Sequence, residues 1–340
     1  MIDTIVSEDV KEIEKTFDRT FFEGRRVLVT GGAGFLGSYL CDILLNLGSN
    51  VTCLDNFATG TLTNIDHLIG KNNFELIEED VAKFEGKEKF DYIFHFASRV
   101  SPEDYQLHPI ETLITNSLGC SKVLELANKG HSRIIFASTS EVYGNPEEIP
   151  TPESYWGYTN SIGIRSCYDE GKRFGEALFM AYFREHKLDI RIARIFNTYG
   201  PRIRPDGTYA RALPRFILQA LENKDITIYG DGSQTRSFTY VTDTIIGILS
   251  VFCNENAIGE VFNIGNCDEM TILELAKRIK QIVSCKSNLV FLPLPVDDPR
   301  RRKPDIRKAE KELNWRPRVS LEEGVLRTVS WFKENHLEKK

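Results

Sequence analysis

The chain has 340 residues, room for one large domain or for a large and a small one. Its apolar fraction of 41% and charged fraction of 27% are those of a globular protein, and its formal charge of -6 leaves no basic footprint for nucleic acid. No segment reaches the roughly 18 to 20 continuous apolar residues of a membrane span. The opening MIDTIVSEDVKEIEKTF is acidic from the start and lacks the basic and apolar regions of a signal peptide. Cysteines stand at 41, 53, 120, 167, 253, 267 and 285, an odd number with no Cys-x-x-Cys pair. They are read as reduced packing residues of a cytosol-like compartment, neither metal ligands nor a disulfide frame.

Residues 8–18 have the pattern of an amphipathic surface helix, so 1–24 is read as a helical extension laid over the main domain. From there strand and helix patterns alternate. Strands are expected at Arg26–Thr30, Asn50–Asp55, Phe74–Glu78, Tyr92–Phe96, Arg133–Ala137 and Asp189–Ile195. Helices are expected at Ser38–Leu47, around 110–129 and from near Cys167. This alternation predicts an α/β fold with a doubly wound parallel sheet covered on both faces, over 25–196. Beyond Asn197, Pro and Gly break the regularity. Short strands (ITIY, FTYV, EVFNIG) and helices (271–283, 306–313, 321–334) predict a smaller α/β substrate-binding region over 197–340, interleaved with the first.

Gly31, Gly34 and Gly37 lie in GGAGFLG, after the first strand and before a helix. That context suits a dinucleotide: a tight turn, close backbone approach to the pyrophosphate, and free helix N–H groups from Phe35 and Leu36 onward. Asp55 ends the second strand, where a carboxylate accepts from ribose hydroxyls and repels a 2′-phosphate. NAD is therefore favoured over NADP. Asn56, Asp80, Val81, Ala97, Ser98 and Asn116 complete the expected cofactor wall. Tyr168 and Lys172, four apart on a helical stretch, share one face. A nearby ammonium stabilises a phenolate, so the pair can act as a base. Thr139 and Glu141 follow the fifth strand, where parallel sheets carry their chemistry. The alternative for Glu141 is a loop or capping acid.

These motifs resemble the extended short-chain dehydrogenases, which have a Rossmann-type fold. TSEVYG (139–144), YWG (155–157), IGIRSCYDEGKR (162–173), RIARIFNTYGPR (191–202), QTRSF (234–238) and DDPRRRKPDI (297–306) narrow the resemblance to the UDP-glucuronate decarboxylases, from about residue 25 to 335. Related 4,6-dehydratases also retain an acid at the Glu141 position, whereas 4-epimerases usually lack it. The resemblance implies catalytic roles for Thr139, Glu141, Tyr168 and Lys172. It implies UDP-sugar contacts at Arg99, Glu141, Asn197, Arg211, Arg236 and Arg302. It implies bound, recycled NAD and a 4-keto intermediate that loses carbon dioxide. It also implies a homodimer through the helices near 110–129 and 167–186. The location expected is the cytoplasm, with no membrane and no nucleic-acid partner.

The chain departs from that family in three places. Arg99-Val100-Ser101-Pro102 replaces Pro-Ala-Ser-Pro, and Ile114 stands where a lysine is usual. The segment Ile203–Arg215 is longer, with Pro214-Arg215 in place of Ser-Asn. Arg99 either replaces the missing lysine charge or is an unrelated surface residue. The alternative activities are those of a nucleotide-sugar 4-epimerase or 4,6-dehydratase. An alternative of another class is a non-catalytic NAD-binding sensor.

Overall fold

The computed structural model describes residues 3–205 and 211–337. Helix α1 (Thr4–Glu14) begins where Asp3 caps the Ile5 and Val6 amides, and it ends at Lys15. It therefore starts four residues before the expected span. The sheet strands follow as β1 (Arg26–Thr30), β2 (Asn50–Asp55), β3 (Phe74–Glu78), β4 (Tyr92–His95), β5 (Arg133–Thr139) and β6 (Ile190–Ile195). Seven strands pair in the order β3-β2-β1-β4-β5-β6 and then Val261–Ile264, all parallel. Apolar runs such as Val27–Val29 and Ile134–Phe136 fill the core between helical layers. The order reverses between β1 and β4, which opens a crevice at the carboxyl ends of those strands.

Helix α2 (Phe35–Asn46) follows β1. The single helix expected around 110–129 is instead a broken series. It consists of α3 (Pro102–Leu107), α4 (Pro109–Ile114), a wide π turn at Thr115–Gly119 and α5 (Cys120–Gly130). Pro102 and Pro109 each open a helix, the position where a missing N–H costs nothing. Helix α6 (Ser166–His186) carries the Tyr–Lys pair.

Beyond residue 197 the structure corrects two elements. FTYV contributes only Thr239–Tyr240 as strand, because Val241 begins a helix. EVFNIG was assigned to the smaller region, yet Val261–Ile264 is the edge strand of the main sheet, beside β6. Helices α7 (Ala212–Leu221) and α8 (Val241–Cys253) had no sequence expectation. Most of α8 is buried, so it lacks the polar face that reveals an amphipathic period. Thr235–Ser237 pairs antiparallel with Glu269–Thr271 and parallel with Arg301–Arg302. That register sets Arg302 beside Arg236.

Helix α1 is more than a surface layer. Val6, Val10 and Ile13 are buried against the main domain, and Asp9 is buried with them. The Asp9 carboxylate accepts from Tyr39 Oη at 3.2 Å, Tyr240 Oη at 2.8 Å and Arg327 Nη2 at 2.8 Å. It thereby joins α1, α2, the start of α8 and the C-terminal helix. Asp9→Ala leaves two buried hydroxyls without their acceptor and removes one of the two carboxylates on Arg327, and should cost about 2 to 4 kcal/mol of stability. An unchanged denaturation midpoint would remove Asp9 from the fold's anchors.

Candidate active site

Gly31 turns the chain at φ +71°, and a Cβ there would lie 2.8 Å from the Ala97 amide nitrogen. A Cβ on Gly37 would lie 2.1 Å from the Gly31 carbonyl oxygen. The turn thus approaches β4's end and its own helix at distances only glycine permits. Gly34 caps α2 without a side chain, leaving the helix amides open toward the crevice. Asp55 is buried and accepts from the Ala33 and Phe57 amides, both at 2.9 Å. Burial pushes its pKa up, and these two bonds oppose the shift. The carboxylate therefore buttresses the glycine turn as well as facing the cavity. Asp80 accepts from Asn56 Nδ2 at 3.3 Å and from the Ala82 amide at 2.9 Å.

A cavity of about 520 Å³ runs from this turn to the smaller region. Every sequence-nominated site residue lines it except Asn116. Asn116 is buried in the π turn, where it accepts from Ser98 Oγ at 3.0 Å and donates to the Thr112 carbonyl at 2.9 Å. It therefore holds the Ser98 wall from behind. The glycine cradle, the open helix end and the acid on β2 fit a dinucleotide.

Tyr168 and Lys172 reach the cavity from α6, and Thr139 and Glu141 from the end of β5. Tyr105 stacks on Tyr168 with centroids 5.1 Å apart and ring planes 3° apart. Lys172 Nζ donates to the Ala137 carbonyl at 2.9 Å and lies 5.9 Å from the Tyr168 ring centroid. Burial raises Tyr168 to about 12, opposed by the Arg211 charge and by the hydrogen bond with Thr139. Burial lowers Lys172 to about 8. Both shifts favour the neutral groups, so the phenol needs further positive charge beside it before it can act as a base near neutrality.

Glu141 is the most heavily paired side chain of the site. Arg302 grips it with two bonds, at 2.6 and 2.8 Å, and Arg165 adds a third at 2.7 Å. Burial opposes ionisation, but these two guanidinium groups win and hold the carboxyl below its usual range. Asp169, next to Tyr168, has the opposite fate. Burial and the Glu141 charge push it up to about 7.

The remaining arginines are mostly committed as well. Arg236 pairs with Asp298 at 3.0 Å. Arg99 lines the cavity, with its guanidinium held by Asp104 at 2.9 Å and Glu111 at 2.8 Å. Ile114 is exposed and lies outside the cavity lining. Asn197 Nδ2 donates to the Ser237 carbonyl at 3.3 Å, and Arg211 donates to the Val100 carbonyl at 3.0 Å. Within the divergent segment Ile203–Arg215, residues 206–210 lie outside the described residues. Sequence reasoning missed Arg165 and Asp298 as cavity residues, while Arg215, in the divergent segment it singled out, does line the cavity. Arg165 had a signal, since it stands three residues before Tyr168 in the motif already singled out.

A sequence profile of the GDP-mannose 4,6-dehydratase family matches residues 28–328. UDP-glucuronic acid decarboxylase 1 of Danio rerio is 46% identical over 333 residues, which cover 96% of this chain and 78% of that protein. Among solved structures, an epimerase of Methanothermobacter thermautotrophicus matches with a TM-score of 0.86 at 32% identity, covering 98% of this chain and 96% of that one. UDP-glucuronic acid 4-epimerase of Bacillus cereus, solved with UDP-glucuronic acid and NAD, matches with a TM-score of 0.82 at 32% identity. That match covers 91% of this chain and 99% of the epimerase.

The glycine turn offers a direct test. In Gly37→Ala the new methyl meets backbone that cannot swing aside, so the turn must open. The variant should lose on the order of 5 °C in melting temperature. Its NAD affinity should fall by about tenfold or more, a loss of ~1.4 kcal/mol. Wild-type affinity measured by calorimetry would refute the close packing.

Proposed function

The chain belongs to the nucleotide-sugar enzyme family of GDP-mannose 4,6-dehydratase, and from that premise we propose that it decarboxylates UDP-glucuronate to UDP-xylose. The carrying observation is Glu141, ionised between Arg165 and Arg302 beside Tyr168. A plain hydride-transfer site has no need of that carboxylate, and 46% identity to a UDP-glucuronic acid decarboxylase over 96% of the chain favours decarboxylation over the 4,6-dehydration that shares the acid. A site that must expel carbon dioxide from a sugar acid has two uses for it. It neutralises the cations that would otherwise hold the substrate carboxylate in place. It also sets a negative charge near the group whose charge must leave.

The cofactor is NAD. We assign its cradle to Gly31, Gly34, Phe35, Leu36, Gly37, Asp55, Asn56, Asp80, Val81, Ala97 and Ser98, with Asn116 behind. Bound there, NAD would supply a reversible hydride acceptor for C4, so that no external oxidant would be consumed. Tyr168 removes the proton of the C4 hydroxyl, and Thr139 holds O4. Lys172 stabilises the phenolate. The resulting ketone lies beta to the carboxylate, and it accepts the electrons that carbon dioxide leaves behind. Glu141 then orders the ring or the water that protonates C5. Asn197, Arg211, Arg236 and Arg302 hold the nucleotide diphosphate and sugar, and Arg99 shapes the wall beside them. We assign 25–196 mainly to the cofactor, 197–340 mainly to the substrate, and 1–24 to a helical extension.

We also propose a homodimer formed through α4, α5 and α6. Leu107 at the end of α3, Ile110 and Leu113 on α4, Leu118 in the π turn and Phe174 on α6 leave large apolar side chains exposed, which supports a partner there. No helix among the described residues is long and apolar enough to cross a membrane. A cytoplasmic location is proposed from the cysteine pattern.

Incubation with UDP-glucuronate and NAD should release carbon dioxide and UDP-xylose. Epimerised UDP-galacturonate without gas release would overturn the reading. Tyr168→Phe should retain fold and NAD binding and lose about 10² to 10⁴-fold in turnover. Near-normal turnover would take Tyr168 out of the mechanism.

Glu141→Gln frees two guanidinium groups to clamp the substrate carboxylate. Its KM should hold or fall, while carbon dioxide release slows by roughly 10²-fold, the scale of losing one placed electrostatic group. Quenched samples should contain a 4-keto sugar that retains its carboxylate. A full rate with a lowered melting temperature would make Glu141 only a structural clamp.

A further inference from the structure

The cavity's cations differ in whether anything balances them. Arg99, Arg165, Arg202, Arg236 and Arg302 each have a carboxylate oxygen within 3.0 Å. Arg215 forms no such pair among the described residues. It lies on the first turn of α7 and lines the cavity. Its guanidinium lies 4.6 Å from the Tyr229 ring centroid and donates from Nη2 to the Thr227 carbonyl at 3.4 Å. Its Nε is buried and has no hydrogen-bond partner. Glu103 lies near enough to favour the charged form, yet burial still lowers the pKa. A half-buried cation with an idle donor and no counter-ion is costly unless a ligand brings the anion.

We propose that Arg215, where the resembled family has a neutral residue, is a specificity-determining contact for the nucleoside-side phosphate of the substrate. The inference rests on the nucleotide-sugar reading above and adds the group that holds one end of it. Arg215 is a donor only, so it must meet an acceptor. The anion that the reaction brings into this cavity is a nucleoside diphosphate. Arg211 marks the direction, since its charge acts on Tyr168 at the reacting end. Arg215 lies one turn further along α7, against Thr227 and Tyr229, and its charge is not among those that act on Tyr168. The phosphate nearest the nucleoside is the one it can reach from that side. Tyr229 holds the guanidinium plane fixed, so its fork is presented without ordering cost.

The test is calorimetric titration of the NAD-loaded protein with UDP, UMP and uridine, for wild type and Arg215→Asn. UDP and UMP should each bind about tenfold or more weakly to the variant, and by similar factors. Uridine, which has no phosphate, should bind both proteins alike. Without ligand, the variant should melt no lower than wild type, because no counter-ion is orphaned. Arg215→Lys keeps the charge and loses the fork, and should recover part of the UDP affinity. Weakened UDP with unchanged UMP would overturn the assignment to the nucleoside-side phosphate. An equal loss for uridine would assign Arg215 to the base or ribose and overturn the proposal. A lower ligand-free melting temperature with unchanged UDP affinity would make it structural. Wild-type protein that binds NAD but not UDP would defeat the nucleotide-sugar reading itself, whatever the variant does.

Discussion

Glu141 joins three segments that the chain keeps far apart. It sits just after β5, Arg165 at the start of α6, and Arg302 on a short strand 161 residues later. Burying three charges in one place carries a large desolvation cost. Here it is offset by geometry: a two-bond grip from Arg302, a third bond from Arg165, and the parallel register that sets Arg302 beside Arg236. The clamp closes the smaller region onto the end of the main sheet and so forms one wall of the cavity. It also leaves donors in reserve, because the Nε atoms of Arg165 and Arg302 are buried without partners. A ligand carboxylate or phosphate entering here finds cations already oriented and already neutralised.

That single charge propagates. Burial raises Asp169 and Tyr105, and the Glu141 charge raises both further. Tyr168 therefore neighbours a stacked phenol that resists ionisation and a carboxyl whose ionisation is disfavoured. The negative charge stays localised on Glu141 and does not spread through the site. Such separation suits an enzyme that must make a phenolate at one point and repel a carboxylate at another.

The main sheet was legible because each parallel strand is an apolar run bounded by turn residues, and each run ends near a cavity residue. The glycine turn and the Tyr–Lys pair were legible for a similar reason, since their spacing alone encodes the geometry. Three kinds of feature were not. Helix α8 is buried so completely that no period reveals it, and the strand Val261–Ile264, legible as a strand, carries no mark of the layer it joins. The π turn at Asn116 packs against α6, where a Cβ on Gly171 would lie 3.1 Å from the Asn116 Cβ, a contact that no local sequence pattern announces. The pairing of arginines was hidden because sequence names the cations and not their partners. Arg236 and Arg302 were expected to face a diphosphate directly, and the fold first gives each a carboxylate.

That pairing gives the cavity two chemically distinct arms. Around the glycine turn the lining offers backbone amides, hydroxyls and the acids Asp55 and Asp80. A pyrophosphate there is held by dipoles, and a second phosphate on the ribose meets repulsion. Across Tyr168 the lining is arginine, most of it balanced by acids that belong to the protein. A cation balanced by a fixed carboxylate orients a ligand without holding it too tightly to react or leave. An unbalanced cation does the reverse and anchors whatever anion arrives. A decarboxylase needs both behaviours in one cavity: a loose environment for the carboxylate that must depart, and a firm grip on the nucleotide that stays bound throughout. Among the described residues, acids pair directly with Arg165 and Arg302 and not with Arg215, which is the division the proposal draws on. The Tyr–Lys pair alone would serve any member of the scaffold; what this cavity adds to it is Glu141 paired with Arg165 and Arg302.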